Sequence, residues 1–408
     1  MNSMSEKITL AKDLLDLLKK NPLNEYWQGF TMVPFALYDS AEIVLCNIDP
    51  LDSSFTYVDG LYVGKWRDKF LGNTAIDFNG EYIAIWNLED CGGISPELSN
   101  LYSCLSHEMF HCYQLKNNWT LWADEFLAVT YPYSEDSLAI RLMEMDILLE
   151  ALKEDDPCKK KDLISKFIFI REERKKLIGK YLDYELALES CEGTATYVQF
   201  KALSKIENLS VLDHISSFID RFNLNDLACF RSSCYGFGLL MALLLDQHYP
   251  SWHKEFTSSK LCLYDFFKSK TSFSLDHNDL IINNIYKGNA KQLLNTYLKK
   301  NENIITNFFN KNLYKIIVKG NLRIWGFDPM NIVTHNKYVL HKNFLKVNDW
   351  TILSEILTIP NEDFWTMNEI EFYSVDKPQI LDKNAIWVND VKFQGDVSIE
   401  GTTYLVKV

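Results

Sequence analysis

The sequence predicts an α+β fold in which a helical region lies between two β-rich regions. Three observations support this: short strand-like runs within 1–95, helical periodicity through 96–300, and β-rich runs separated by turn residues in 313–408. A chain of 408 residues suits two or three domains, and its 47% hydrophobic content is enough for large packed cores. The expected domains are therefore these three ranges.

The first region is expected to begin with an amphipathic helix and to continue as a mixed sheet. Residues 1–20 carry leucines at helical spacing and lack the uninterrupted apolar core of a signal peptide. Asn79-Gly80-Glu81 predicts a β-hairpin turn between two of the strands. The strand-like runs are 42–48, 56–64, 74–80 and 82–88.

Helix signals dominate the central region. Ser95-Pro96-Glu97 combines a capping Ser, a Pro at the first helical position and an acidic residue in the first turn, which predicts a helix start. From about 313 the β-branched and aromatic runs predict a small β domain. Further helices are expected at 138–152, 160–207, 210–222 and 234–247.

Composition argues against several classes of partner. The net charge is −13 and nothing resembles a cluster of Lys and Arg of the kind that binds along phosphates, so no nucleic-acid partner is expected. The longest apolar run, 237–245, is shorter than the roughly 20 residues that cross a bilayer, so no membrane association is expected. Nine cysteines without a CxxC pair predict reduced thiols and a cytoplasmic location, and they argue against a cysteine-rich zinc site.

The stretch with the clearest chemical meaning is His107-Glu108-Met109-Phe110-His111. Residues four apart lie on one face of a helix, so His107 and His111 can direct imidazole nitrogens at one metal ion. Glu108 sits about 100° round the helix from His107, displaced from a ligand position but within reach of a water on the metal. This is the H-E-x-x-H arrangement of zinc metallopeptidases, with two ligands and one general base.

Two histidines at this spacing also occur on helices that bind no metal, either exposed or buried with hydrogen bonds. The apolar residues on both sides of the motif argue against an exposed helix, and a metal accounts for a buried pair. A catalytic zinc needs a third protein ligand. Gln114 and Asn117 stand where a metzincin has Gly and His, so that class is excluded and the third ligand is expected elsewhere in the chain.

A stripe of carboxylates later in the chain supplies the candidates. Glu185, Glu189 and Glu192 fall at i, i+4 and i+7, on one helical face beside apolar residues. A solvated acidic face is the alternative. Against it, Gly193 and Ala195 are small enough to let this helix approach another backbone closely.

The two histidines, together with the distal Glu-Gly-x-Ala-x-Tyr stretch, resemble the gluzincins, the clan of thermolysin and the zinc aminopeptidases. The resemblance implies a gluzincin-like catalytic core with one Zn²⁺ per chain, whose ligands are His107, His111 and Glu192. Glu108 matches the general base. Glu189, one turn before Glu192, would lie beside the ligands or face the substrate; the alternative is that Glu189 is itself the third ligand.

The sequence departs from the better-known branches of that clan. Residues 112–191 separate the second histidine from Glu192, so inserted helices at about 120–180 are expected to fill this gap. No Gly-x-Met-Glu-Asn stretch occurs, and aminopeptidase specificity is therefore not implied. The resemblance covers about 75–250.

The resemblance also implies where a substrate binds. In gluzincins an edge strand precedes the active-site helix and pairs with an extended peptide. The run 82–88 is in that place, with Tyr82, Ala84 and Trp86 as its substrate-binding positions. An ordinary core strand is the alternative.

A group that stabilises the oxyanion of the tetrahedral intermediate is also needed. Gluzincins often use a Tyr or His that follows the third ligand. Tyr235 and Arg231, at the start of a strongly apolar helix, are the candidates, with packing and salt bridging as their alternative roles. Tyr197 is a weaker candidate.

Together these expectations predict a zinc-dependent hydrolase that acts on a peptide or protein substrate. Two alternatives stay open. One is a zinc-stabilised binding or regulatory protein with a peptidase-like fold, and the other is an amidase acting on a small molecule. Another divalent ion also stays open, because affinity order alone does not select zinc.

Overall fold

The computed structural model describes residues 4–50, 53–67, 69–89, 97–271, 282–382 and 384–408. It contains both helices and sheets, which confirms the α+β class. The chain divides into two compact units, each discontinuous in sequence. Unit 1 comprises Met1–Ala123, Ser137–Leu224 and Arg231–Tyr286, and unit 2 comprises Asp124–Asp136, Asn225–Phe230 and Lys287–Val408.

Unit 1 contains a six-stranded sheet with the order β3-β4-β2-β1-β6-β5. The β1–β6 pair is parallel, whereas the other described pairs are antiparallel, so the sheet is mixed as predicted. The strands are β1 Phe35–Tyr38, β2 Glu42–Cys46, β3 Phe55–Val58, β4 Leu61–Lys65, β5 Thr74–Phe78 and β6 Glu81–Asn87.

Two tight turns shape this sheet. Asn79 and Gly80 both have positive φ, 60° and 83°, as a type I′ hairpin turn requires, and β5 pairs with β6 across them. The predicted hairpin is therefore confirmed. Asp59 and Gly60, with φ of 52° and 93°, likewise divide the predicted strand 56–64 into β3 and β4.

The prediction that the 82–88 strand lies at the edge of the sheet is wrong. Ala84 of β6 is opposite Phe35 of β1 on one side and Ala75 of β5 on the other. The physical reason is the two-residue turn, which folds β5 back along the side of β6 that would otherwise be free. The outer strands are β3 and β5.

Helices form most of the rest of the chain up to residue 270. Gly179, with a φ of 57°, ends α5 and interrupts the single helix that the sequence predicts at 160–207. Ser95 and Pro96 of the predicted start signal lie outside the described residues; the helix begins at Leu98, with Glu97 at its N-cap. The bounds are α1 Met4–Lys20, α2 Leu98–Lys116, α3 Phe126–Val129, α4 Glu135–Lys153, α5 Pro157–Ile178, α6 Tyr181–Glu207, α7 Val211–Ile219, α8 Phe230–His248, α9 Trp252–Ser259 and α10 Leu263–Lys270.

The central helix of unit 1 is α2. It packs against β5 and β6 and against α6. Every residue from Leu101 to Cys112 is buried, so the histidine motif lies on an enclosed helix, not an exposed one.

Helices α6 and α8 cross at two glycines. A Cβ placed on Gly193 would lie 2.5 Å from the Cα of Gly238, closer than real Cβ contacts allow. This confirms that Gly193 lets α6 approach another backbone closely. The crossing brings the middle of α6 against the middle of α8.

One stretch of the described residues, Leu227–His248, is long and apolar enough to cross a membrane. Its apolar window is 72% buried inside the structure, as is usual for a helix in the core of a protein. The predicted absence of membrane association stays a prediction.

Unit 2 consists mainly of strands, which lie where the sequence predicts β-rich runs. Nine of the described strands form one sheet around β7, and β14, β15 and β16 form another. Ile305 and Phe308 of helix α11 Asn284–Phe309 pack against the larger sheet at Leu340 and Leu357. The strands are β7 Tyr314–Phe327, β8 Ile332–His335, β9 Tyr338–His341, β10 Leu345–Val347, β11 Trp350–Ile352, β12 Ile356–Pro360, β13 Thr366–Ser374, β14 Gln379–Asp382, β15 Ala385–Val388, β16 Val391–Gln394, β17 Asp396–Glu400 and β18 Thr403–Lys407.

Candidate metal centre

Two imidazoles on α2 lie next to each other. His107 and His111 are one helical turn apart, and their ring centroids are separated by 4.8 Å. Both residues are buried, because the sheet and α6 enclose this helix. The i, i+4 spacing therefore brings the two rings together inside the protein, away from bulk water.

Glu192 on α6 completes a group of three. Its Oε2 lies 3.4 Å from Nε2 of His107 and 3.3 Å from Nε2 of His111. In a tetrahedral zinc site with bonds of 2.0–2.1 Å, neighbouring ligand atoms are about 3.3 Å apart. The three candidate ligand atoms all lie within 4.8 Å of one another, so a single ion can reach all of them.

Glu189 does not belong to this group. It is fully buried, and its Oε2 accepts a hydrogen bond from Nη1 of Arg171 at 2.7 Å. Among the described residues no contact joins it to the imidazoles, so both predicted roles for Glu189, beside the ligands or as third ligand, are wrong. The reason is angular: positions three apart on a helix differ by about 60°, which turns Glu192 towards α2 and Glu189 towards α5.

Glu185 and Glu189, the two carboxylates of the stripe other than Glu192, lie in a buried ionic cluster. Each arginine of the cluster donates to at least one of its glutamates. None of these side chains is more than 2% exposed, so the acidic stripe is neutralised inside the protein and is not a solvated face. The members are Arg141 and Glu144 from α4, Arg171 and Arg174 from α5, and Glu185 and Glu189 from α6.

Gln114 contacts the site. In the sequence analysis this residue serves only to exclude metzincins. Its Oε1 lies 2.7 Å from Nδ1 of His111, and its Nε2 donates to the Cys191 carbonyl at 2.8 Å and to Thr194 Oγ1 at 3.1 Å. The i, i+3 spacing between His111 and Gln114 is the sequence feature that could have indicated their contact. By contrast, Nδ1 of His107 is buried with no hydrogen-bond partner among the described residues.

Glu108 lies beside the group and is 8% exposed. Among the described residues none forms a hydrogen bond or an ion pair with its carboxylate. Burial raises the pKa of Glu108, the charges of His107 and His111 lower it, and the charge of Glu192 raises it, with a net increase. A buried carboxylate that is free of protein partners is suited to accepting a proton.

Two of the three candidate ligands, His111 and Glu192, alter each other's protonation. Burial lowers the pKa of His111, but the carboxylate of Glu192 and the thiol of Cys191 raise it, and the net pKa is well above its usual range. Burial raises the pKa of Glu192, but the charges of His111 and Arg231 lower it, and the net pKa is well below its usual range. A carboxylate held in its anionic form next to two imidazoles is ready to exchange their protons for a cation.

The two predicted oxyanion candidates lie at the border of the group. Nη2 of Arg231 donates to Oε1 of Glu192 at 3.1 Å, and Nη1 donates to the Tyr235 hydroxyl. The Tyr235 ring lies 6.3 Å from the His107 ring, with 29° between their planes. Tyr197, the weaker candidate, is elsewhere: its hydroxyl donates to the carboxylate of Asp246.

The predicted substrate-binding positions on β6 are wrong. Ala84 lies opposite Phe35 of β1 on one side and Ala75 of β5 on the other, Trp86 lies opposite Leu37 of β1, and both are buried. Tyr82 is already opposite Asp77 of β5. An extended peptide therefore cannot add to this strand, and the free edge next to it belongs to β5.

Comparisons with models of known protein families, with curated proteins and with solved structures find no match for this chain. The resemblance to the gluzincins therefore depends on the H-E-x-x-H motif and the distal Glu192, and it stays a prediction.

Proposed function

We propose that this protein is a zinc-dependent hydrolase that cleaves peptide bonds. One observation carries the proposal: Nε2 of His107, Nε2 of His111 and Oε2 of Glu192 converge beside Glu108, whose carboxylate has no hydrogen bond or ion pair to another described residue. Two imidazoles with one carboxylate form the ligand set of known catalytic zinc sites, whereas structural zinc sites are closed by four ligands, usually with cysteines.

The surroundings of the group support a site with an open position. Among the described residues no fourth ligand atom from a His, Cys, Asp or Glu joins the three. The Cys191 sulfur lies 3.9 Å from Nδ1 of His111, on the other side of the ring from Nε2. Burial raises the pKa of Cys191, and it raises that of Cys112 to about 12, so both are protonated thiols in the metal-free protein.

Glu108 supports the hydrolytic chemistry. Zinc, when bound, supplies Lewis acidity towards a carbonyl oxygen and lowers the pKa of a water molecule. Glu108 follows the first ligand directly in sequence, and its carboxylate has no described protein partner. It can therefore accept a proton from the attacking water and deliver that proton to the leaving amine. Its raised pKa, caused first by burial, makes it a stronger base.

Tyr235 supports stabilisation of the developing negative charge. Its hydroxyl oxygen accepts from Arg231, and a phenol that accepts in this way can donate its own proton to an oxyanion. The cation next to the phenol strengthens that donation. Arg231 itself is bound to Glu192, so we assign the donor role to Tyr235 and a supporting role to Arg231.

The strand order supports a peptide as the substrate. The helix α2, which carries the histidines, packs against β5 and β6, and β5 is an outer strand of its sheet. An extended peptide can add to such an edge through main-chain hydrogen bonds. We therefore propose β5, Thr74–Phe78, as the strand next to the substrate.

Metal content and peptide cleavage test the proposal together. Wild type is expected to contain about one zinc per chain by elemental analysis, as a single three-ligand site requires. Glu192→Ala is expected to lose most of it, whereas Glu207→Ala, an exposed carboxylate at the end of the same helix, is expected to retain it. Zinc-loaded wild type is expected to cleave members of a mixed peptide library, as detected by mass spectrometry, and Glu108→Gln is not.

Three outcomes would contradict the proposal. Wild type that takes up no zinc even when zinc is offered has no such site. Zinc retained in Glu192→Ala places the metal elsewhere. Equal cleavage by wild type and Glu108→Gln assigns the cleavage to a contaminating enzyme or to a mechanism without this base.

A further inference from the structure

We infer that Gln114 is a positioning residue for the metal centre, one that selects the tautomer of His111 and fixes α2 against α6. The inference rests on the proposed function, because it concerns how one of the zinc ligands is presented. Gln114 is completely buried and lies between His111, on its own helix, and the backbone of Cys191, the residue before Glu192.

The orientation of the Gln114 amide is determined by its contact on α6. The Cys191 main-chain oxygen can only accept, so the group 2.8 Å from it must be the amide nitrogen of Gln114. The same nitrogen donates to Thr194 Oγ1 at 3.1 Å. Thr194 Oγ1 in turn donates to the Ser190 carbonyl at 2.7 Å, so it has a lone pair directed to Gln114.

This orientation determines the proton position on His111. With the amide nitrogen turned to α6, Oε1 of Gln114 faces Nδ1 of His111 at 2.7 Å. An amide oxygen only accepts, so Nδ1 must carry the hydrogen. The neutral imidazole then has its lone pair on Nε2, the atom 3.3 Å from Glu192 Oε2. A backbone carbonyl of α6 thus determines, through one amide, which nitrogen of His111 binds the metal.

The same amide connects the two helices that supply the ligands. Cys191 and Thr194 lie on either side of Glu192, and both accept from Gln114. A shift of α6 along α2 would break these bonds and would also move Glu192 away from His111. Neither Met nor Glu reproduces all of these contacts: Met offers no donor and only a weakly accepting sulfur, whereas Glu keeps the acceptor for His111 but loses the donor for Cys191.

The test measures zinc affinity and the ligand field in the full-length protein. Zinc dissociation constants by competition with a chelator are expected to rise about 10–100-fold in Gln114→Met, the usual effect of losing an outer partner of a ligand. Gln114→Glu is expected to recover part of the affinity, because His111 again has an acceptor although the donor to Cys191 stays lost. The Co²⁺-substituted protein is expected to show a changed visible spectrum in Gln114→Met and the wild-type spectrum in Gln114→Glu.

Gln199→Met is the matched control. Gln199 is also a buried glutamine at the α2–α6 contact, but its Nε2 donates to the Cys104 sulfur at 3.2 Å and not to a ligand. It is expected to keep wild-type zinc affinity and spectrum. Equal losses in Gln114→Met and Gln199→Met, or no recovery in Gln114→Glu, would show a purely structural role and overturn the inference.

A measurement on wild type keeps the inference testable if Gln114→Met does not fold. Histidine-selective ¹⁵N NMR of the zinc-loaded protein is expected to show His111, assigned by comparison with His111→Gln, with a protonated Nδ1 and a metal-bound Nε2. Metal binding through Nδ1 overturns the inference while leaving the proposed function intact. Wild type that binds no zinc contradicts both, and zinc binding at wild-type strength in Gln114→Met contradicts the inference alone.

Discussion

Arg231 donates a hydrogen bond to Oε1 of Glu192, while Oε2 of the same carboxylate faces the two imidazoles. The guanidinium therefore occupies one carboxylate oxygen and leaves the other for a metal ion. Bonds between arginine and a carboxylate are shorter and stronger than neutral hydrogen bonds. In the proposed zinc site, this pair would hold Glu192 as a ligand through one oxygen, and Arg231 would act on the centre through Glu192.

Arg231→Met is predicted to weaken zinc binding about 10–100-fold, because Glu192 loses the partner that orients it. The zinc dissociation constant measured by chelator competition checks this. Arg323→Met removes an exposed arginine of β7 and is expected to leave the constant unchanged. Unchanged affinity in Arg231→Met would show that the ion pair does not orient the ligand.

Glu108→Gln is predicted to lower kcat about 10²–10⁴-fold, the usual contribution of a general base, while zinc content stays at the wild-type level. The amide keeps the shape of the side chain but cannot accept the proton. Steady-state kinetics on a peptide that wild type cleaves, with zinc measured on the same samples, check this. Glu207→Gln is the control, with an expected kcat like that of wild type. Full activity in Glu108→Gln would remove Glu108 from the mechanism.

The parts of the fold and site that could be predicted depend on local sequence. The i, i+4 spacing of His107 and His111 fixes their common face whatever else the chain does, and the Asn79-Gly80 turn specifies its own hairpin. The position of β6 could not be predicted in this way, because it depends on β1, Phe35–Tyr38, a strand far from it in sequence that was not recognised.

Contacts with residues distant in sequence also separate the role of Glu192 from that of Glu189. Both lie on one buried helix, and the pattern alone assigns them similar surroundings. Their partners differ because Arg171 comes from a separate helix that ends at Gly179, a break that the periodicity does not indicate. Gln114 was overlooked for a related reason: its role depends on the backbone of α6, which has no signature in the sequence around it.

Gly193→Ala is predicted to destabilise the protein by about 1–3 kcal/mol, the usual cost of forcing an extra methyl into a packed core. The new Cβ would meet backbone atoms of Gly238 at 2.5–3.3 Å, and backbone cannot move aside as a flexible side chain does. Unfolding in urea checks this. Gly288→Ala is the control, a helical glycine with no atom within 4 Å of its added Cβ, and it is expected to gain about 0.5–1 kcal/mol. Equal effects of the two changes would contradict the close crossing.

Arg174→Met is predicted to destabilise unit 1 by about 3–5 kcal/mol, because it leaves buried carboxylates with too few partners. Arg174 donates to Glu144 and to Glu185, each at 2.7 Å, and is fully buried. Adding Glu185→Met to this variant is expected to restore part of the stability by removing an uncompensated charge. Urea unfolding of both variants checks this, with Lys176→Met as the control, since the pair of Lys176 with Glu173 is exposed and contributes little.

The buried pair of Lys7 and Asp39 gives a prediction about pH. Burial raises the pKa of Asp39, but hydrogen bonds from Lys7 and from the backbone of Glu42 and Ala41 lower it, and the net pKa is below its usual range. A carboxyl whose pKa is lower in the folded state stabilises the protein above its unfolded pKa of about 3.9. That contribution is lost as the pH falls through the folded-state value.

Asp39→Asn is therefore predicted to lose stability relative to wild type at neutral pH, by up to about 3 kcal/mol, and to lose progressively less below pH ~4, where the wild-type carboxyl takes up a proton. Free energies of unfolding at a series of pH values between 3 and 7 check this. Asp59→Asn is the control, since the pair of Asp59 with Lys12 is exposed and is expected to contribute little at any pH. A stability difference between wild type and Asp39→Asn that stays constant over this range would mean that the Asp39 charge does not stabilise the folded state.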